Sequence, residues 1–233
     1  SRAFIDYGKQ ELDRFTANGV ARAAGWMALS GAHPVVRATG LDRQVQFNNW
    51  MVATNILPPA TAPAWLEAFA RVPAGFVPVL RSVNRRAHGA LLDAFAAAGL
   101  TLLPMRRIFL RDYGRGQDLT TDEAKDARLL ARDDLERRSG LSFSAADFER
   151  AAHLYALLYL EKYSQLNPVY TATFLAQAQA HLGLKLEGLF QPSGGPMVGI
   201  IGRFEQYGTL TGPIVGYDTA LPQNLGLYRR LRA

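Results

Sequence analysis

The sequence predicts an α/β fold of mixed (α+β) sheets, built from two sets of elements in series. Three observations lead there. A strand, a helix and a second strand follow one another closely between Phe76 and Asp112, as in an α/β unit. Beyond Ser144, two helical patterns precede three strand-like stretches joined by Gly-bearing turns. Between the two sets lies a polar stretch, Gly114-Arg115-Gly116-Gln117-Asp118, which reads as a linker.

In the first set, Phe4 to Phe15 has apolar residues at helical spacing, and an Ala-rich helix follows up to about Ser30. Gln44-Val45-Gln46-Phe47 alternates polar and apolar residues, the pattern of a half-buried strand. Pro58-Pro59 breaks the chain before a short amphipathic helix over Ala64 to Arg71. Phe76 to Val83 is expected as a strand, with Pro78 marking an edge or a bulge. Ala87 to Ala98 is a helix closed by Gly99, and Thr101 to Asp112 is expected as a further strand. This gives a first domain over residues 1–113.

Residues 114–143 are expected to be a linker with a charged bridging helix over Thr121 to Arg138. The second domain, 144–233, opens with Ser144 as helix N-cap and Asp147 placed as in a capping box, and that helix runs to about Lys162. Thr171 caps the next helix, which Gly183 stops. Leu184 to Gln191, Met197 to Glu205 and Thr209 to Tyr217 are the three strands, with turns at Pro192-Ser193-Gly194-Gly195 and Gln206-Tyr207-Gly208. A loop then leads into a last helix at Gly226.

Composition narrows the function classes. With no cysteine, disulfides, thiolate metal sites and a cysteine nucleophile are excluded, and a cytoplasmic location is the default expectation. No apolar run reaches the roughly 20 residues of a membrane helix. The start, at Ser1 rather than a methionine, lacks the pattern of a signal peptide. The formal net charge is +6, from 22 Arg and 4 Lys against 20 acidic residues. The basic pairs are scattered and separated by acids, whereas a nucleic-acid surface gathers them on one stripe with aromatics between. An anionic small ligand suits the charge as well.

The segment Gln223-Asn224-Leu225-Gly226-Leu227-Tyr228 stands between a strand and a helix. Such a loop presents unpaired N–H groups backed by the positive end of the helix dipole, which suits a phosphate, and Gly226 lets the backbone come close to one. Arg229 and Arg230 would add charge-assisted contacts. An ordinary turn with Gly226 at the helix entry accounts for the same residues.

Two helices, three meandering strands, this loop and a helix follow the order of the GNAT acyltransferase superfamily, which this chain resembles. Gln223 and Gly226 match that superfamily's pyrophosphate loop, while Tyr228 stands where it has a small residue. The segments 159–168 and 210–221 resemble an uncharacterised subgroup of it, and 41–55 resembles the domain that precedes it there. The resemblance implies an acyl-CoA cofactor, most simply acetyl-CoA, and an amine acceptor that is a small molecule or a peptide. It implies pantetheine on the backbone of Ile214, Val215 and Gly216, and pyrophosphate on Gln223 to Tyr228. It also implies two related domains, the first a degenerate copy, and more strands and another helix after the pyrophosphate loop. Residues beyond the sequence, a partner chain such as a second copy, or a different strand count would account for these. Tandem domains also resemble the transferases that use aminoacyl-tRNA, an alternative with tRNA as partner; a non-catalytic binding module of the same fold is another.

Acyl transfer to an amine needs a neutral amine, a stabilised oxyanion and an acid for the leaving thiolate. Asp218 stands at the end of the expected cofactor strand as a base or as a turn residue, and Tyr217 beside it as a proton donor or a core aromatic. Lys162, Tyr163 and Asn167 line the acceptor side in the resemblance; a solvated helix end and a turn opener are their plainer readings. The four histidines have no ligand spacing, so no metal site is expected. Asn48, Asn49 and Trp50 either border a cleft or are polar residues at a strand end.

Overall fold

The computed structural model describes residues 2–53, 55–105, 107–112 and 120–232. Helices α1 (Arg2–Phe15) and α2 (Gly19–Ala38) pack on each other. The Asn18 side chain starts α2 by accepting from the amides of Val20 and Ala21. The helix runs past the expected stop at Ser30 and through Pro34. None of its residues is buried, so water can satisfy the carbonyl that Pro34 leaves without a donor.

Strand β1 (Gln44–Phe47), helix α3 (Ala62–Ala70) and strand β2 (Val77–Leu80) form a strand–helix–strand unit. The two strands pair in parallel, from Gln44 opposite Val77 to Phe47 opposite Leu80. Helix α4 (Arg85–Ala97) follows, capped by Asn84. Phe47, Trp65, Phe69 and Phe95 are in ring contact at centroid distances of 5.3 to 6.4 Å and hold this unit together. Among the described residues, the strand expected over Thr101 to Asp112 does not form. The described part of that segment is irregular, and Leu103, Met105 and Phe109 are exposed. Strand-forming side chains settle into a strand only where a neighbouring strand and a core face receive them.

Helix α5 (Thr121–Leu130) starts with a capping box of Thr120 and Glu123. It ends well short of the expected Arg138, because Glu136–Ser139 is a strand, β3. The alternation there is one of charge pairs. Arg137 bonds Glu187 on the next strand at 2.6 Å, and the Arg138 guanidinium lies 4.3 Å over the Phe190 ring. The second sheet therefore begins inside the expected linker.

Helix α6 (Ala145–Ala156) has the expected Ser144–Asp147 capping box and continues into a π-type turn, Leu157–Glu161. Helix α7 (Ala172–His181) is capped by Thr171. Strands β4 (Lys185–Phe190), β5 (Met197–Gln206) and β6 (Thr209–Tyr217) complete a four-stranded antiparallel sheet in the order β3-β4-β5-β6. A 3-10 turn, Gln223–Leu225, leads to helix α8 (Leu227–Arg232).

The central strand β5 is buried from Met197 to Gly202, with a core cluster on each side. Leu154, Tyr155, Leu175 and Ile214 belong to one, and Val198, Val215, Leu227 and Leu231 to the other. Each fully buried large apolar side chain contributes about 1.5–3 kcal/mol. The first sheet has two parallel strands and the second four antiparallel ones, so the described residues give no repeated sheet topology. The two parts meet directly. The Tyr170 hydroxyl donates to the Met51 carbonyl at 2.7 Å, the Ser164 hydroxyl donates to Gln10, and Trp50 packs edge-on against Phe204.

Candidate functional site

Strand β6 is the outermost of its sheet, and among the described residues no strand pairs with its far edge. On the near side Ile214, Val215 and Gly216 face Gly202, Ile201 and Ile200, and Tyr217 faces Gly199. The register slips between the Gly202–Ile214 and Phe204–Thr211 pairs, where Pro213 falls, since proline has no N–H to give to a ladder. Gly216 lies against helix α6: a Cβ there would sit 2.5 Å from the Tyr155 nitrogen and 2.6 Å from the Leu154 carbonyl carbon. That contact lets α6 cross β6 at backbone distance.

Asp218 follows at the strand end, its amide donating to the Val198 carbonyl. Its carboxylate accepts from Arg150 Nη2 at 2.7 Å and from the Ala220 amide at 3.0 Å, while Arg150 Nε donates to the Met197 carbonyl. Burial pushes the Asp218 carboxyl up, but the Ala220 amide, the Arg150 guanidinium and His153 outweigh it and leave its pKa below the usual aspartate value. Asp218 thus clamps α6 to the ends of β5 and β6 as an ionised group. A depressed pKa makes it a weak proton acceptor.

Tyr217 is half-buried, with its ring 6.3 Å from Tyr228. Around them lies a tyrosine stripe. Tyr155, Tyr159 and Tyr163 follow at four-residue spacing down α6 and its π-type turn, with successive ring centroids 4.7 and 6.0 Å apart. Tyr155 donates to the Pro168 carbonyl and Tyr170 to that of Met51, so both hydroxyls are structural. Burial, with the neighbouring Tyr159 hydroxyl, pushes Tyr170 up to about 12. Tyr159 is raised as well, first by burial and then by Tyr228 and Tyr163, against the opposing charge of Arg232. The i, i+4, i+8 tyrosine spacing is itself visible in the sequence.

The expected acceptor residues lie where that stripe ends. Tyr163 is exposed, and the Lys162 ammonium lies 5.7 Å over its ring. Asn167 donates to the Tyr159 carbonyl at 2.9 Å and closes the loop after the π-type turn. Lys162 is exposed at the rim.

In the turn before α8, Gly226 has φ +61°, a left-handed conformation that favours glycine. The amides of Leu225 and Gly226 are used inside the turn, and Arg230 donates back to the Gly226 carbonyl. The amides of Leu227, Tyr228 and Arg229 have no described backbone acceptor, as at any helix start. Gln223 and Asn224 are exposed, while Leu225 and Leu227 turn into the core. Tyr228 faces outward, bonded and stacked to Arg232, so its bulk does not disturb the helix–sheet contact.

The two neighbouring arginines are engaged by other parts of the chain. Arg229 Nε lies 2.5 Å from Asp126, and its Nη2 donates to the Asp122 carbonyl, both on α5. Arg230 is 3% exposed and bonds Asp134 at 2.6 Å. Carboxylates far away in sequence hold both, which spacing alone does not reveal.

Among the described residues no three His, Asp or Glu side chains gather as metal ligands, and no helix is long and apolar enough to cross a membrane. No family model matches the chain, and neither a curated protein nor a solved structure does.

Proposed function

We propose that this chain is a GNAT-type N-acyltransferase, taking an acyl group, acetyl in the simplest case, from coenzyme A to an amine. The observation that carries the reading is one arrangement. α6, α7, β4, β5, β6, the Gly226 turn and α8 follow in the order the resemblance calls for, with the three strands on one antiparallel sheet, and the open edge of β6 leads towards the Gly226 turn. The backbone groups of the Ile214–Gly216 run that point away from β5, which alternate along an antiparallel edge strand, suit the amides of pantetheine, and the first-turn amides of α8 suit a pyrophosphate.

Bound acyl-CoA would supply the activated thioester. The chain would hold it beside the amine, and proximity provides most of the acceleration. Tyr217, next to the open edge, is the hydroxyl for the leaving thiolate. Asp218 fixes the end of that strand through Arg150 rather than taking the amine proton. Lys162, Tyr163 and Asn167 form the acceptor rim. A non-catalytic module of this fold is the second reading, favoured by the engagement of Arg229 and Arg230 with acidic partners.

Thermal unfolding with acetyl-CoA separates the two. A ligand at about 100 times its Kd adds roughly 2.7 kcal/mol, which raises the midpoint by about 5–10 °C at this chain length. Asn224→Asp places a carboxylate beside the phosphates and should weaken binding about tenfold. A folded protein whose midpoint ignores acetyl-CoA would exclude the transferase reading.

A further inference from the structure

The part of the molecule that the transferase reading leaves unused is the unit 44–97. Its parallel strands end side by side, β1 at Phe47 and β2 at Leu80. In parallel sheets linked by helical crossovers, ligands bind just beyond the carboxyl ends of the strands. Beyond these two ends the backbone turns left-handed at three residues that are not glycine: Asn48 (φ 55°), Met51 (φ 51°) and Ser82 (φ 66°). Asparagine accepts that region readily, but methionine and serine do so at a cost of order 1–3 kcal/mol. The other two such residues, Ser193 and Tyr207, each precede a glycine in a strand-to-strand turn, where the conformation is ordinary.

A side-chain network holds the strained segment. Asn48 Nδ2 donates to the Arg81 carbonyl at 3.2 Å, Asn55 Nδ2 to the Asn48 carbonyl at 2.8 Å, and the Asn55 amide to the Ser82 hydroxyl at 3.0 Å. Met51 is pinned by core packing and by the Tyr170 hydroxyl on its carbonyl. Between this segment and the β5–β6 hairpin lies a cleft of about 250 Å³. That is just below the ~300–1,000 Å³ of pockets for drug-sized ligands. Trp50 and Phe204 give it an aromatic wall, and Asn48, Asn55 and Gln206 contribute carboxamides. Among the described residues that line it, none is charged. Among the described residues, the two asparagine side-chain oxygens and the Gln206 amide have no other hydrogen-bond partner.

We infer that this cleft is a second binding site, for a small uncharged planar ring whose edge carries adjacent donor and acceptor groups, a pyrimidine base or a nicotinamide-like amide. The ring lies against Trp50. Its donors meet the two asparagine oxygens, and Gln206 supplies a matching donor and acceptor. A charged ligand would leave its charge without a partner in the cleft, so the site selects neutral rings. The inference is independent of acyl-CoA, whose proposed site lies at the far end of β6.

The test is a titration of the full chain with uracil, cytosine and nicotinamide, with benzoate as the charged control, read by ligand-observed NMR and by tryptophan fluorescence. At least one neutral ring should bind with a Kd of about 1 mM or tighter, and benzoate should not. Gln206→Ala, at an exposed strand end, and Trp50→Phe should each weaken binding several-fold with an unchanged melting temperature. The inference is overturned by a folded protein that binds none of the three up to ~10 mM. It is equally overturned by benzoate binding as well as they do, or by affinities that neither variant changes.

Discussion

Replacing Gly216 with alanine tests the central packing contact of the candidate site. The added methyl would stand 2.5, 2.6 and 2.7 Å from the Tyr155 nitrogen and the Leu154 carbonyl carbon and oxygen. All three atoms belong to the backbone of a helix, so no side chain can swing aside. Either α6 lifts from the sheet or β6 bends away. Overpacking a well-filled core costs about 1–3 kcal/mol, and a rigid obstacle puts Gly216→Ala at the upper end, about 3 kcal/mol. At roughly 2–4 °C per kcal/mol for a chain of this length, the melting midpoint falls by about 6–12 °C. Gly212→Ala is the matched control on the same strand, because its added methyl meets only the Gly202 carbonyl oxygen, at 3.8 Å. Differential scanning calorimetry of both variants beside the wild type decides the matter. A Gly216→Ala protein that melts within a degree or two of Gly212→Ala would show that α6 does not cross β6 at backbone distance, and the geometry of the open edge would fall with it.

Three further outcomes are expected. The folded pKa of Asp218 is depressed, so its stabilising contribution is present above the unfolded aspartate pKa of about 3.9 and is lost as pH falls through the folded value; between pH 5 and pH 3 the wild type should lose more stability than Asp218→Asn, and parallel acid-denaturation curves would contradict the Arg150 clamp. Ser144→Ala removes the cap of α6 and should cost about 1 kcal/mol in urea unfolding, with an unchanged m-value. Asp134→Ala leaves the buried Arg230 guanidinium without its carboxylate and should destabilise by about 2 kcal/mol, less than the ~3–5 of a fully buried pair because Asp134 is itself partly exposed; a loss no larger than that from the exposed Asp122→Ala would argue against it.

What the sequence made legible was local. The Ser144–Asp147 capping box, the glycine turns and the extents of β5 and β6 are each set within a few residues, and the structure has them close to where the sequence puts them. The misses were long-range. Glu136-Arg137-Arg138 looks like a solvated helix until Glu187 and Phe190, about fifty residues on, are there to pair with it. Arg229 and Arg230 look free until α5 is folded against them. At Asp218 the turn bond from the Ala220 amide is local and legible, while the hold of Arg150, 68 residues earlier in the chain, is not. In the candidate site the loop and the strand edge were therefore readable, while the charge state and engagement of its side chains were not.

The two proposed sites lie at the ends of one mechanical path. Met51, strained and next in the chain to Trp50 of the cleft, accepts from Tyr170, whose ring lies 4.7 Å from Tyr155. Tyr155 stacks on Tyr159, and its own backbone is what Gly216 abuts on the open edge of β6. A ring seated against Trp50 that shifted Met51 would press on Tyr170 first, and the close-packed interior leaves that ring little room to yield. Contiguity of this kind is only a route. Coupling requires that each ligand change the affinity for the other by the same factor. Titrating acetyl-CoA with and without the neutral ring present, and then the reverse, measures that factor in both directions, and two equal affinities would show that the path carries no energy between the sites.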